Sequence, residues 1–420
     1  MHTEIQRCRI CCNTDLYSIL DLGQQHLTGV FPRSKDVPTS SGPLELVKCD
    51  DQKNSHACGL VQLKHSYESG ELYGQNYGYR SGLNQSMVKH LHGRVSAIQR
   101  LVPLAVGDMV LDIGSNDSTL LQAYPSNGPL LVGIDPTGVK FKKYYPLHIH
   151  LIPECFSAEA IRRSVGGRKA KVVTSIAMFY DLEAPEDFMR QVAEILAEDG
   201  VWLFEQSYMP RMLAANAYDT VCHEHTEYYG LKQIKWMADR CGLKIIDVEF
   251  NDVNGGSFGV MVAKQAAPYP ENTARVRVTL EEEERTGLHT PKPYEEFRAR
   301  VLTHRERLTQ ALRQFKAAGK VIFGYGASTK GNVLLQYCHL THEDIPCIAE
   351  VNEDKFGAYT PGTLIPIISE VEARAAKPDF FLVLPWHFRE NIVNREKSYL
   401  AQGGKLLFPL PEIEVVERAG

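Results

Sequence analysis

Between residues 76 and 267, short apolar runs alternate with longer stretches in which apolar residues recur every three or four positions. Four to eight apolar residues bounded by glycine, proline or asparagine read as a buried strand, and a 3.6-residue period reads as an amphipathic helix. The strands predicted here are Met109-Val-Leu-Asp-Ile113, Leu130-Leu-Val-Gly-Ile134, Ala170-Lys-Val-Val-Thr-Ser175, Gly200-Val-Trp-Leu-Phe-Glu205 and Leu243-Lys-Ile-Ile-Asp-Val248. Alternation of strands and helices predicts an α/β domain with a parallel sheet. A second α/β unit is expected over 319–420, with strands Val321-Ile-Phe-Gly-Tyr325, Cys347-Ile-Ala-Glu-Val351, Phe380-Phe-Leu-Val-Leu384 and Lys405-Leu-Leu-Phe408. Residues 268–318 are charged and helical in pattern, and the run 294–317 reads as a solvated connecting helix. Residues 1–75 are punctuated by Cys, Gly and Pro, with short strand-like pieces such as Gly59-Leu-Val-Gln-Leu63, and predict a small N-terminal domain.

A chain of 420 residues is long enough for two or three cores. Its net charge of −5 argues against nucleic-acid partners, which select a basic face. The longest apolar runs are much shorter than a membrane span, and the first residues carry no apolar h-region. Ten cysteines spread through such a chain favour reduced thiols and metal ligation over a disulfide framework, and a cytoplasmic protein is expected.

Four motifs carry chemistry. Cys8-Arg-Ile-Cys11 with Cys49 and Cys58 offers four thiolates for a closed, structural Zn²⁺; Cys12 and His56 are alternative ligands, and unliganded buried thiols remain an alternative reading. Val110-Leu-Asp-Ile-Gly-Ser-Asn-Asp-Ser118 predicts a strand, a glycine turn at Gly114 and a helix starting near Thr119. It lacks the full Gly-x-Gly-x-x-Gly dinucleotide pattern. Asp135, at the end of the next strand, is placed to bind ribose hydroxyls, and together these residues fit the nucleoside pocket of a class I S-adenosylmethionine methyltransferase. Cys222-His-Glu-His-Thr-Glu-Tyr-Tyr229 concentrates titratable groups. Its i, i+2 imidazoles share a face only if the segment is extended, which leaves an acid/base site, a partial metal site or a solvated loop. Gly324-Tyr-Gly-Ala-Ser-Thr-Lys-Gly331 joins a strand to a helix start, where amides with Ser328, Thr329 and Lys330 suit a diphosphate or simply form a tight turn. It is not a P-loop, because Lys330 precedes its glycine.

Taken in order, these motifs resemble the nucleotide-sugar C-methyltransferase family over nearly the whole chain. So do Cys58-Gly-Leu-Val-Gln-Leu63, Tyr77-Gly-Tyr-Arg-Ser-Gly82, Gly255-Gly-Ser257, Pro361-Gly-Thr363 and Leu384-Pro-Trp-His-Phe388. The resemblance implies an N-terminal zinc-binding domain, a class I methyltransferase Rossmann-like central domain and a C-terminal Rossmann-like domain that binds a nucleotide-sugar. It implies S-adenosylmethionine held by Tyr77, Asp112, Gly114, Ser115, Asn116, Asp135, Pro136, Ala177 and Met178. It also implies a nucleotide-linked 4-keto-6-deoxysugar (dTDP, GDP or CDP), methylated at C3, and a monomer or weak homo-oligomer. Substrate contacts are expected from Tyr79, Glu224, His225, Ser328, Thr329, Lys330, Asn332, Glu350, Trp386 and His387.

Methylation of carbon next to a ketone needs a base and donors for the enolate oxygen. His225 is expected as base, Glu224 as its orienting or sugar-binding partner, and Tyr77, Tyr79 and Tyr229 as donors to the sugar oxygens or as residues that close the pocket; packing aromatics are the alternative for all three tyrosines. His223 is expected behind the reacting groups. Two departures from the family pattern stand out: Ser118 replaces a glycine, and Asp181 stands where several relatives carry histidine. A methyltransferase of another small anionic metabolite and a non-catalytic zinc-ribbon binding protein are the competing readings.

Overall fold

A computed structural model describes residues 2–72 and 79–417. Its largest sheet contains β1 Met109–Ile113, β2 Leu130–Ile134, β3 Ile149–Ile152, β4 Ala170–Ile176, β5 Leu196–Ser207, β6 Leu243–Asn251 and β7 Ser257–Lys264. The spatial order is β3-β2-β1-β4-β5-β7-β6, parallel throughout except for β7, which is antiparallel to both neighbours. This is the class I methyltransferase arrangement. Every residue of β1 is buried, which is why it reads as one apolar run. Sequence pattern misses β3 because this edge strand is short and half exposed, and it misses β7 because glycines interrupt its approach. The β6–β7 connection turns through Asn254, Gly255 and Gly256, with φ of 57°, 89° and 119°.

The helix expected from Thr119 does not form; the loop closes into a single 3-10 turn at Leu121–Ala123. Ser118 at φ 65° breaks helical geometry on one side and Pro125 removes a donor on the other. The run expected to be solvated is also corrected. Helix Lys292–Ala317 buries Tyr294, Phe297, Val301, His304, Leu308 and Leu312 along one stripe, against the core shared with the C-terminal domain.

The C-terminal sheet contains β8 Ile322–Tyr325, β9 Ile348–Glu350, β10 Ile367–Ser369, β11 Phe380–Val383, β12 Lys405–Phe408 and β13 Glu414–Val416. Its order, β10-β9-β8-β11-β12-β13, is the doubly wound 3-2-1-4-5-6 pattern, with only β13 antiparallel. Ligands of such sheets bind beyond the carboxyl ends of the strands where the order reverses, here after β8.

The N-terminal domain holds two long strands, Leu16–His26 and Ser41–Cys49, where only short pieces were legible; register shifts between them blur the alternation. Its sheet is completed by Val61–Leu63 and then by Glu227–Tyr228, which comes from the His-Glu-His motif. The small domain is therefore hydrogen-bonded directly to the motif with the densest chemistry.

Candidate active site

The Sγ atoms of Cys8, Cys11, Cys49 and Cys58 all lie within 4.8 Å of one another. Cys8–Cys58 is 3.5 Å and Cys11–Cys49 is 3.4 Å. A tetrahedron with Zn–S near 2.3 Å sets S···S at roughly 3.8 Å, so this donor set fits a zinc ion without rearrangement. The Cys58 amide donates to Cys11 Sγ at 3.4 Å, and Asn13 Nδ2 donates to Cys49 Sγ at 3.5 Å. Hydrogen bonding from Cys49 pulls the Cys11 thiol toward thiolate. Cys12 and His56 are exposed and outside the cluster. Four protein ligands make the site closed and structural.

Beyond β1, the chain turns at Gly114, φ 75°, whose missing Cβ would meet Met178 at 3.1 Å. Met178 and Ala177, itself at φ 54°, thus face a cradle that only glycine leaves open. Asp135 accepts from the Asn116 amide through Oδ2 (2.7 Å) and from the Thr137 amide and hydroxyl through Oδ1 (both 2.6 Å). That leaves Oδ2 room for one further donor, so Asp135 can take a single ribose hydroxyl in this geometry. Asp112 is buried on β1 beside the Thr174 hydroxyl at 2.6 Å, and burial pushes its carboxyl up to about 7. The Tyr145 phenol, which no motif singled out, contacts Ser115 Oγ at 2.8 Å and donates to the Asn116 carbonyl at 2.9 Å, fixing the loop. Ser118 sits at φ 65°, which costs a non-glycine residue about 1 kcal/mol, while its hydroxyl donates to the Tyr144 carbonyl at 3.2 Å. The segment 79–83 lies across this loop: the Ser81 amide donates to Asn116 Oδ1 (3.0 Å), the Gly82 amide to Asp117 (2.9 Å), and the Tyr79 carbonyl accepts from Asn116. Tyr79 itself is half exposed. Tyr77 lies outside the described residues.

The His-Glu-His segment is a turn, closed by the His225 amide donating to the Cys222 carbonyl at 3.1 Å, so its imidazoles do not share a face. His223 points into the N-terminal domain, fully buried and edge-on to Tyr67 at 4.7 Å. Burial pushes its pKa down to about 4. His225 instead lines a small cavity together with Tyr180, Ser207, Met209, Met212, Thr220, Glu227 and Tyr228. Its Nδ1 lies 2.9 Å from the Thr220 carbonyl. A carbonyl can only accept, so Nδ1 carries the proton and Nε2 keeps its lone pair. Burial, followed by the nearby Lys330 charge, pushes the His225 pKa down to about 3. Tyr180, from the loop after β4, stacks 4.2 Å from His225, and its carbonyl accepts from the amides of Thr226 (2.8 Å) and Glu227 (3.0 Å). The cradle under Met178 and the imidazole are therefore joined by one short loop.

Glu224 is buried, and burial raises its pKa. Its carboxylate accepts from the Thr28 hydroxyl at 3.3 Å. Tyr229 is in the core, 5.5 Å from Phe179, away from the cavity.

From the C-terminal domain, Lys330 Nζ donates to the Asn254 carbonyl at 2.8 Å, and its charge acts on His225, His387 and Asp219. Trp386 Nε1 donates to Asp219 Oδ2 at 2.7 Å, next to the Thr220 carbonyl that orients His225. Ser328 caps helix Thr329–Tyr337 by accepting from the Gly331 amide at 3.0 Å, and Asn332 donates to the Thr28 carbonyl at 2.7 Å. Glu350 is withdrawn from the centre: it accepts from the amides of Ala327, Val351 and Asn352 at 2.7–2.9 Å and so shapes the loop after β8. Of the expected residues, Glu224, His225, Lys330, Asn332, Trp386 and His387 converge where the domains meet, whereas Glu350, Tyr229 and Tyr79 do not. Thr28, Gly29, Asp219 and Thr220 were missed, because nothing in their local sequence marks them.

Profiles of three domain families match successive parts of the chain. The profile of the C-methyltransferase C-terminal domain matches residues 252–411, a zinc-binding domain profile matches 8–73 and a methyltransferase domain profile matches 88–248. C-methyltransferase NovU of Streptomyces niveus is 31% identical over 416 residues, covering 98% of this chain and 97% of NovU. Among solved structures, an S-adenosylmethionine-dependent methyltransferase of Listeria monocytogenes aligns at 13% identity and TM-score 0.33, over 41% of this chain and 98% of its own. One from Clostridium acetobutylicum aligns at 13% and 0.33, over 42% and 92%. With a zinc-binding domain, an S-adenosylmethionine-dependent methyltransferase fold and a full-length relative of this kind, the chain belongs to the C-methyltransferase family.

Proposed function

We propose that this methyltransferase acts on a carbon next to the ketone of a nucleotide-linked 4-keto-6-deoxysugar, most readily C3, with His225 as the base. The observation that carries this reading is the Nδ1–Thr220 hydrogen bond, which leaves Nε2 unprotonated on an imidazole that lines a cavity beside the donor-side loop. Burial and the Lys330 charge hold the resting imidazole in its neutral form, which keeps the Nε2 lone pair available and also weakens it as a base. Lys330 offers positive charge to the enolate oxygen or to the diphosphate. Bound S-adenosylmethionine supplies an electrophilic methyl on a sulfonium, and Asp112, Gly114, Asn116, Asp135 and Met178 are the residues that would hold it. Amides at the start of helix Thr329–Tyr337, with Thr329 and Lys330, suit the diphosphate. The central test is His225→Asn. The expected outcome is loss of methyl transfer by about 10²–10⁴-fold, with equal loss of solvent-deuterium exchange at the carbon next to the ketone, while S-adenosylmethionine binding by calorimetry is kept. Exchange at the wild-type rate would remove His225 from the role of base.

A further inference from the structure

The N-terminal domain reads as a structural zinc module, yet its turn at Thr28-Gly29 reaches the reacting centre. Thr28 is fully buried; its hydroxyl donates to Glu224 Oε2 at 3.3 Å, and its carbonyl accepts from Asn332 Nδ2 of the C-terminal domain at 2.7 Å. Gly29 follows, and its amide is a further donor to the Glu224 carboxylate. A Cβ at Gly29 would stand 2.3 Å from Glu224 Oε1 and 3.8 Å from Thr329 Oγ1, so the carboxylate occupies the space of the missing side chain. Nearby, His26 and Gln336 exchange two hydrogen bonds, the His26 amide donating at 2.7 Å and Gln336 Nε2 donating back at 3.2 Å. The Tyr359 amide donates to the Pro32 carbonyl at 2.9 Å. The segment 26–32 is thus fastened along the C-terminal domain on both sides of the Glu224 contact.

We infer that the Thr28-Gly29 turn belongs to the active site: Thr28 is a positioning residue that sets the Glu224 carboxylate and registers it against the C-terminal domain through Asn332. The inference rests on the reading of Glu224 as part of the reacting centre. The groups facing the carboxylate are the Glu224 amide, the Cys222 thiol, the Thr28 hydroxyl and the Gly29 amide. Burial disfavours its ionised form and the Thr28 donor favours it, so removal of that donor moves its titration to higher pH. The carboxylate is then present over less of the working range, and the acid limb of the rate profile shifts upward.

The test uses the full chain with S-adenosylmethionine and dTDP-4-keto-6-deoxyglucose as probes, comparing Thr28→Val, Thr28→Ser, Gly29→Ala and Glu224→Gln. Loss of a donor to a charged group predicts a fall in kcat of about ten- to a hundredfold for Thr28→Val, and displacement of the carboxylate by the added methyl predicts a fall of similar size for Gly29→Ala. KM for S-adenosylmethionine and zinc content are expected to be unchanged, with the acid limb of the Thr28→Val profile moved up and turnover restored by Thr28→Ser. Wild-type kcat and pH profile in Thr28→Val and Gly29→Ala, beside an inactive Glu224→Gln, would overturn the inference and leave the proposed function standing. Wild-type turnover in Glu224→Gln would overturn the inference by removing Glu224 from the reacting centre, whereas His225→Asn tests the proposed function separately. If Thr28→Val does not fold, Gly29→Ala decides, since its added methyl displaces only the carboxylate tip.

Discussion

Asp112 is a carboxyl group in a place that disfavours charge. It is buried on β1 with one hydroxyl donor, Thr174, and its pKa rises to about 7. Unfolded, it titrates near 4, so between pH 4 and 7 the folded chain holds a proton that the unfolded chain has lost. Stability attributable to this group is therefore full below pH 4 and falls as pH rises to 7. Asp112→Asn keeps an acceptor for Thr174 and removes the ionisation. The expected outcome is a gain of roughly 1–4 kcal/mol at pH 8, vanishing below pH 4, measured by urea unfolding of the protein without donor. At this scale the chemistry of short motifs was readable: the four cysteines and the Gly114 turn do what their spacing requires. The two imidazoles were not separable, since whether residues i and i+2 share a face depends on backbone that a distant strand imposes.

Among the elements, the strand Glu227–Tyr228 shows how the His-Glu-His segment is held by another domain. It pairs with Val61–Leu63, and Glu227 is buried with Arg9, from inside the zinc knuckle, 3.7 Å away. Arg9 also donates to the Leu63 carbonyl at 2.6 Å and to Ser66 at 2.9 Å. Glu227 keeps donors from Thr226 Oγ1 (2.9 Å) and the Leu182 amide (3.4 Å), but Arg9 is the cation beside it. Arg9→Met strands a buried carboxyl and is expected to cost about 3–5 kcal/mol in equilibrium unfolding. Arg9→Met together with Glu227→Gln should recover much of the loss; no recovery would mean that Arg9 acts through its backbone contacts alone. Strands buried on both faces were legible as apolar runs, whereas edge strands, bulged strands and the aborted helix at Thr119 were set by neighbours and by Ser118 and Pro125.

The whole molecule brings three units to one place: the N-terminal turn at Thr28, the central turn at Glu224-His225 and the C-terminal helix start at Thr329-Lys330. Zinc is then coupled to the His225 segment through Arg9 and the shared sheet. Removal of zinc by a chelator is expected to lower Tm and to accelerate amide exchange at Glu227 and Tyr228 before exchange in β1 or β4 changes. Simultaneous acceleration in β1 would show that the domains unfold as one unit. Among the described residues no helix is long and apolar enough to cross a membrane.

By itself, the sequence determined the units and the chemistry available to them. Apolar periodicity reflects which faces are buried, and metal or glycine motifs act over a few residues of chain. The tertiary structure alone decided which groups meet. Thr28 carries no local signature, and it reaches Glu224 only because burial of separate cores brings them within hydrogen-bond range, as it brings Trp386 to Asp219.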